Sequence, residues 1–152
     1  MAKFNIVLVA PEIPQNTGTI GRLAVSTDAC LHLIEPLGFS LEDKFLKRAG
    51  LDYWQYLDLR VYPDWENFLM RNPGANLWFF STHGEKSFWD IEYAESDYLV
   101  FGRESAGLPP DFYIRYREKL AVIPMPGAHH RSLNLANAVS IVLYEAMRQN
   151  RN

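Results

Sequence analysis

The chain has 152 residues, 48% of them hydrophobic and 22% charged, which is the size and make-up of one ordinary domain over 1–152 and excludes disorder and low complexity. The formal net charge of −3 counts against a wrap-around nucleic-acid binder. That sum hides a basic stretch, however, because Arg115, Arg117, Lys119 and Arg131 face Glu118 alone between residues 112 and 134, with His129 and His130 beside them.

Residues 4–10 (FNIVLVA) are a continuous apolar run, the mark of a strand buried on both faces. Pro11 and Pro14 stop it well short of a membrane span, and no small-residue cleavage site follows. Asn16 suits an N-cap, and residues 17–29 read as a helix. Cys30 is the only cysteine. A lone thiol makes neither an internal disulfide nor a cysteine metal site, which points to a soluble protein of a reducing, cytoplasmic compartment. A short strand follows at 31–35. Ser40 caps a helix that Gly50 ends. Residues 57–62 are a strand, and Pro63 with Asp64 opens a helix to Arg71. Residues 77–81 and 98–102 are strands. Pro109 and Pro110 begin a short helix to about Glu118. A last strand covers 119–124, and a last helix runs from Leu133 to about Asn150. This rhythm predicts an α/β fold, a mostly parallel sheet with helices on both faces. The last helix is apolar over more than one stripe, which suits either a helix pressed between sheet and loops or one that also packs on a second subunit.

Several familiar sites are absent. There is no G-x-G-x-x-G or P-loop, no G-x-S-x-G elbow, and no H-E-x-x-H or C-x-x-C, so no dinucleotide, hydrolase or metal chemistry is expected. Polar punctuation at strand ends remains, where parallel sheets bind ligands. It falls in PEIPQNTGTIGR (11–22), FGRESAGLP (101–109) and IPMPGAHHRSLNLANAVSI (123–141). Each is a strand end, then small residues, then a helix start with free backbone N–H groups.

NTGTIGR, FGRESAGLP and RSLNLANAVSI, in that order, resemble the three signature motifs of the SPOUT superfamily of S-adenosylmethionine-dependent RNA methyltransferases. The resemblance runs from about Asn5 to Gln149 and is nearest the TrmL (YibK) branch, which methylates the 2′-hydroxyl of the wobble nucleotide, position 34, in leucine tRNAs. It implies a C-terminal trefoil knot, which topology rules alone argue against. It also implies a homodimer, tRNA as partner, and S-adenosylmethionine converted to S-adenosylhomocysteine. A ribosomal RNA or another tRNA position is the alternative substrate, and a silent RNA-binding module the alternative class.

The resemblance also implies residue roles. Asn16 holds the active-site loop, unless it is only a helix cap. Arg22 faces the RNA; because a guanidinium stays protonated in proteins, it binds and polarises a phosphate while phosphate or water takes the proton. Glu104 is either a surface turn residue or a carboxylate at the cofactor pocket, near the sulfonium or fixing the knot loop. Gly102 and Gly107 flank it and allow close approach. Ser132 and Asn134 shape the site, with Ser132 also suited to cap the last helix. The backbone of Ile123, Met125 and Leu133 encloses adenine, and Phe80, Ser81 and Thr82 border the cofactor. Arg103 contacts phosphate or is a plain surface charge. With Arg115, Arg117 and Arg131 it forms the expected RNA surface. The PGAHHR loop is about one residue longer than the branch leads one to expect. His129 and His130 there are either a tolerated insertion or an RNA contact. His32 and His83 read as structural, Cys30 as core, and LDYWQY (51–56) as an aromatic-rich loop.

Overall fold

The structure, a computed structural model, describes residues 3–151, with the side chains of all of these except residues 45 and 49–52. Seven strands form one sheet in the order β3-β2-β1-β6-β4-β7-β5, and every strand pairing is parallel. The strands are β1 (Asn5–Val9), β2 (Cys30–Ile34), β3 (Leu59–Tyr62), β4 (Leu77–Phe80), β5 (Lys86–Ser87), β6 (Tyr98–Phe101) and β7 (Leu120–Val122). The helices are α1 (Pro14–Thr27), α2 (Lys44–Gly50), α3 (Trp65–Arg71), α4 (Phe112–Arg115) and α5 (Leu135–Gln149).

The alternation of side chains along β1 explains its unbroken apolar run. Ile6 and Leu8 point into one core with Ile20, Ala24, Val139 and Leu143 of α1 and α5. Val7 and Val9 point into a second core with Trp65, Phe68 and Phe112 of α3 and α4. None of these four β1 residues is more than 6% exposed, and each full burial stabilises the fold by about 1.5–3 kcal/mol. Among the described residues, no helix is long and apolar enough to cross a membrane.

Several boundaries differ from the sequence expectation. Helix α1 starts at Pro14 with Ile13 as its cap residue, so Asn16 lies inside the first turn and is not the N-cap. Proline suits that first position because its missing N–H needs no partner there. Ser40 makes a turn by accepting from Glu42 N–H, and α2 starts four residues later at Lys44. Helix α5 starts at Leu135, and its cap is Asn134, whose Oδ1 accepts from Asn137 N–H at 3.3 Å; Ser132 does not cap it. The helix expected from Pro109 is the single turn α4 followed by a 3-10 turn at Arg117–Lys119. Strand β5 is too short to carry a pattern, and LDYWQY is a 3-10 turn.

His32 and Cys30 are core residues, as expected. Both are buried, and burial pushes the Cys30 thiol up to about 11. His32 Nε2 lies 2.9 Å from Asn5 Oδ1 and Nδ1 2.7 Å from Tyr62 Oη. Asn5 Nδ2 donates to Ser96 O, Asn72 Nδ2 donates to Tyr62 Oη, and Tyr98 Oη donates to Asn72 Oδ1. With His32 Nε2–H donating to Asn5 Oδ1, the Tyr62 hydroxyl can accept from Asn72 and donate to Nδ1, an arrangement that suits the neutral ring. Burial first, and the Arg60 guanidinium second, bring its pKa down to about 4.

Candidate active site

The loops after β4, β6 and β7 meet the start of α5 around a crevice of about 550 Å³ at the carboxyl ends of the strands, the usual ligand position in such sheets. Phe80, Ser81, Thr82, Gly102, Arg103, Glu104 and Gly107 line it from the β4 and β6 side. Ile123, Met125, Ser132, Leu133 and Asn134 line it from the β7 and α5 side, and Asn16 reaches it from α1. Every residue expected to border the cofactor is therefore on one wall or another. Ile13, His83 and Tyr113 also line it. His83 is exposed and edge-on to the Tyr113 ring, so it is a rim residue and not a structural one. Ile13 belongs to the first motif segment, but no motif pointed to His83 and Tyr113, because the turn after β4 and α4 reach the crevice only through tertiary packing.

Glu104 is the organising residue. Helix α1 has no side-chain cap of its own, and Glu104 instead holds the segment that leads into it. Glu12 N–H donates to Glu104 Oε1 at 2.8 Å and Ile13 N–H to Oε2 at 2.9 Å. Asn16 Nδ2 donates to the same Oε2 at 3.2 Å. The carboxylate is thus engaged on both oxygens and joins the loop after β6 to the segment that enters α1; it is no bare surface-turn residue. The exchange is mutual, since Glu12 Oε1 accepts from the backbone N–H and hydroxyl of Ser105 at 2.8 and 2.7 Å. The Ser105 hydroxyl first, and its N–H second, hold the Glu12 carboxyl below the usual range.

The order then spreads. Because Asn16 turns its NH₂ to Glu104, its Oδ1 faces Asn134, whose Nδ2 donates at 3.1 Å. Asn134 in turn keeps its own oxygen for capping α5. One carboxylate thereby sets the sense of two amides and ties together the three motif loops. Gly102 makes the close approach possible: a Cβ there would run into the backbone of Gly107 and Leu108. Arg103 and Gly107 close this loop by exchanging backbone bonds at 3.1 and 2.9 Å.

The expected RNA residues are scattered. Arg103 lies on the crevice wall. Arg22 is exposed on α1 outside the lining, with its guanidinium 4.9 Å from the Tyr53 ring centroid. Arg115 pairs with Glu66 at 2.7 Å on the α3–α4 face. Arg117, His129 and Arg131 are exposed, and His130 Nδ1 is 2.8 Å from Gly127 O within its own loop. Among the described residues, no group of three or more His, Cys, Asp or Glu side chains could hold a metal.

The model of the SpoU rRNA methylase family matches residues 3–144. The chain belongs to that family. A tRNA (cytidine(34)-2'-O)-methyltransferase of Acidovorax sp. (strain JS42) is 47% identical, over 97% of this chain and 92% of that protein. A solved structure concerned with the 2-OH methylation of C/U34 on tRNA superposes with a TM-score of 0.92 at 48% identity, over 98% of this chain and 97% of that one. An AdoMet-bound rRNA methyltransferase of Sinorhizobium meliloti superposes with a TM-score of 0.86 at 28% identity, and this chain covers 57% of it. The parallel sheet with helices on both faces is the fold of these SpoU-type structures.

Proposed function

We propose that this chain is an S-adenosylmethionine-dependent tRNA 2′-O-methyltransferase acting on the ribose of the wobble pyrimidine, position 34, of leucine tRNAs. The observation that carries this is the tied crevice at the ends of β4, β6 and β7, in a chain matched over nearly its whole length by enzymes named for cytidine 34.

The crevice fits the cofactor. Its volume is within the range of small-molecule sites. Val122, Ile123, Leu133, Leu135 and Ala138 offer apolar walls for a flat base, and Ser81, Thr82 and Tyr113 offer hydroxyls for the ribose and amino-acid ends. S-adenosylmethionine supplies, when bound, a methyl on positive sulfur, so the protein's task is in-line alignment with the ribose oxygen. Glu104, Asn16 and Asn134 act by holding the three loops in register. Arg22 binds and polarises an RNA phosphate. Ser132 is exposed at the crevice edge, where it shapes the entry for the nucleotide.

The reading includes a homodimer whose RNA surface gathers Arg22, Arg103, Arg115, Arg117 and Arg131 from two subunits, with His129 and His130 at its edge. Its support is an apolar patch beside the crevice. Trp89, Ile141 and Tyr144 are 62%, 40% and 54% exposed and sit together with Phe88 and Ile123, the kind of surface a partner covers. It also includes one domain over 1–152, a cytoplasmic location, and a trefoil knot in the chain that builds the β6, β7 and α5 loops. What supports the knot is the crossed strand order, with β6 between β1 and β4 and β7 beyond β4.

The test incubates the purified protein with methyl-labelled S-adenosylmethionine and tRNA from cells lacking it, then identifies the labelled nucleoside. Label on a ribose 2′-oxygen is expected, together with calorimetric binding of the cofactor. Cofactor binding without transfer to tRNA would move the substrate to ribosomal RNA. Absence of both would leave a silent module. Full turnover by Arg22→Ala would remove Arg22 from the reaction.

A further inference from the structure

The 3-10 turn at Leu51–Tyr56 is the aromatic segment that the crevice does not use. Side chains three apart eclipse on such a turn, so it has two faces. One is fixed to α1. Leu57 N–H bonds back to Trp54 O, and both side chains press on Gly21 of α1, where an added Cβ would lie 2.8 Å from the indole and 3.3 Å from Leu57. A glycine inside a helix costs about 1 kcal/mol against alanine; here it makes the notch that seats the indole. The other face is open, with Tyr53 37% and Tyr56 72% exposed. Arg22 follows Gly21 directly and sets its guanidinium over the Tyr53 ring. The notch and the cation are thus consecutive residues, so seating the turn also sets the Tyr53 ring beside Arg22, with Tyr56 three residues on along the same turn.

We propose that Tyr53 and Tyr56 form a stacking platform for unpaired bases of the tRNA anticodon loop, with Arg22 beside them on the backbone phosphate. This rests on the tRNA reading above. Held aromatic rings next to a cation match single-stranded RNA, which offers a π-face at every base and an anion between bases. The platform is anchored through Trp54 before RNA arrives, so little ordering cost is left for binding.

The test measures binding of an anticodon stem-loop and methylation at position 34 in parallel, for the wild type, Tyr53→Leu, Tyr56→Leu and the two phenylalanine variants. Each leucine variant is expected to weaken RNA binding about tenfold, within the span of about 1–3 kcal/mol per stacked base. Each phenylalanine variant should restore binding, since the ring and not the hydroxyl stacks. Cofactor affinity and melting temperature should stay at wild-type values. Wild-type affinity in the leucine variants, or no binding by the wild type, would overturn the platform. So would a leucine variant that loses dimer mass in light scattering, because the surface would then belong to a second copy. Tyrosine-dependent binding without methylation at position 34 would instead count against the enzymatic reading alone.

Discussion

Replacing Glu104 with glutamine changes one atom type at the point where three N–H donors converge. The carboxylate accepts from Glu12 N–H, Ile13 N–H and Asn16 Nδ2 at 2.8, 2.9 and 3.2 Å. Glutamine keeps one acceptor oxygen and turns an NH₂ toward the remaining donors, so at least one bond is lost and a donor faces a donor. A hydrogen bond to a charged group contributes about 1.5–3 kcal/mol. The favourable charge at the start of α1 adds about 0.3–1 kcal/mol. Glu104 is half-buried, so solvent screens part of this, and the net loss is about 2–3 kcal/mol. At this chain length each kcal/mol moves the melting temperature by about 2–4 °C, which gives a fall of about 5–10 °C by calorimetry at fixed protein concentration. The amide orientations of Asn16 and Asn134 depend on the same carboxylate, so affinity for S-adenosylmethionine should fall about tenfold or more in the same variant. Ser105→Ala, which removes one of the two donors to Glu12 on the reciprocal arm, should give a smaller shift. A Glu104→Gln protein that melts within about 1 °C of wild type and binds the cofactor normally would refute the clamp.

Gly102→Ala places a methyl against the backbone of Gly107 and Leu108, which no rotamer can avoid; a loss of about 3 kcal/mol or more and of cofactor binding is expected from denaturation and calorimetry. His32 is neutral in the fold with a pKa of about 4 against 6.5 unfolded. Its contribution is complete above pH 6.5 and is lost as pH falls toward 4, about 3 kcal/mol in all. Urea unfolding against pH should show this, and a His32 ring that titrates near 6.5 by NMR would contradict it. Binding of tRNA should weaken steeply with salt as phosphate contacts release counterions; a flat dependence would remove the arginine surface. Tyr144→Asp should yield a monomer by sedimentation, and an intact dimer would place the interface elsewhere.

The sheet was legible because β1, β4 and β6 are apolar on both faces, as parallel strands between two helix layers must be. The crevice was legible because the three motifs end strands, and every expected cofactor residue lines it. What stayed hidden depends on contacts distant in sequence. Asn16 and Ser132 have the right side chains for helix caps, yet the Asn16 amide is turned to Glu104, 88 residues away, and Asn134 takes the cap of α5. Strand β5 has two residues and no pattern. The role of Gly21 is invisible without the Trp54 indole against it. Arg22 shows the reverse case: the motif singles it out, and the fold sets it outside the crevice lining, on the surface where the RNA is proposed to lie.

The most direct test of the account uses two leucine tRNA transcripts that differ only in the sugar of nucleotide 34, one with the 2′-hydroxyl and one 2′-deoxy. With labelled S-adenosylmethionine, the account predicts transfer to the first, mapped to position 34, and none to the second. Equal labelling of both, or label at another nucleotide, would contradict it.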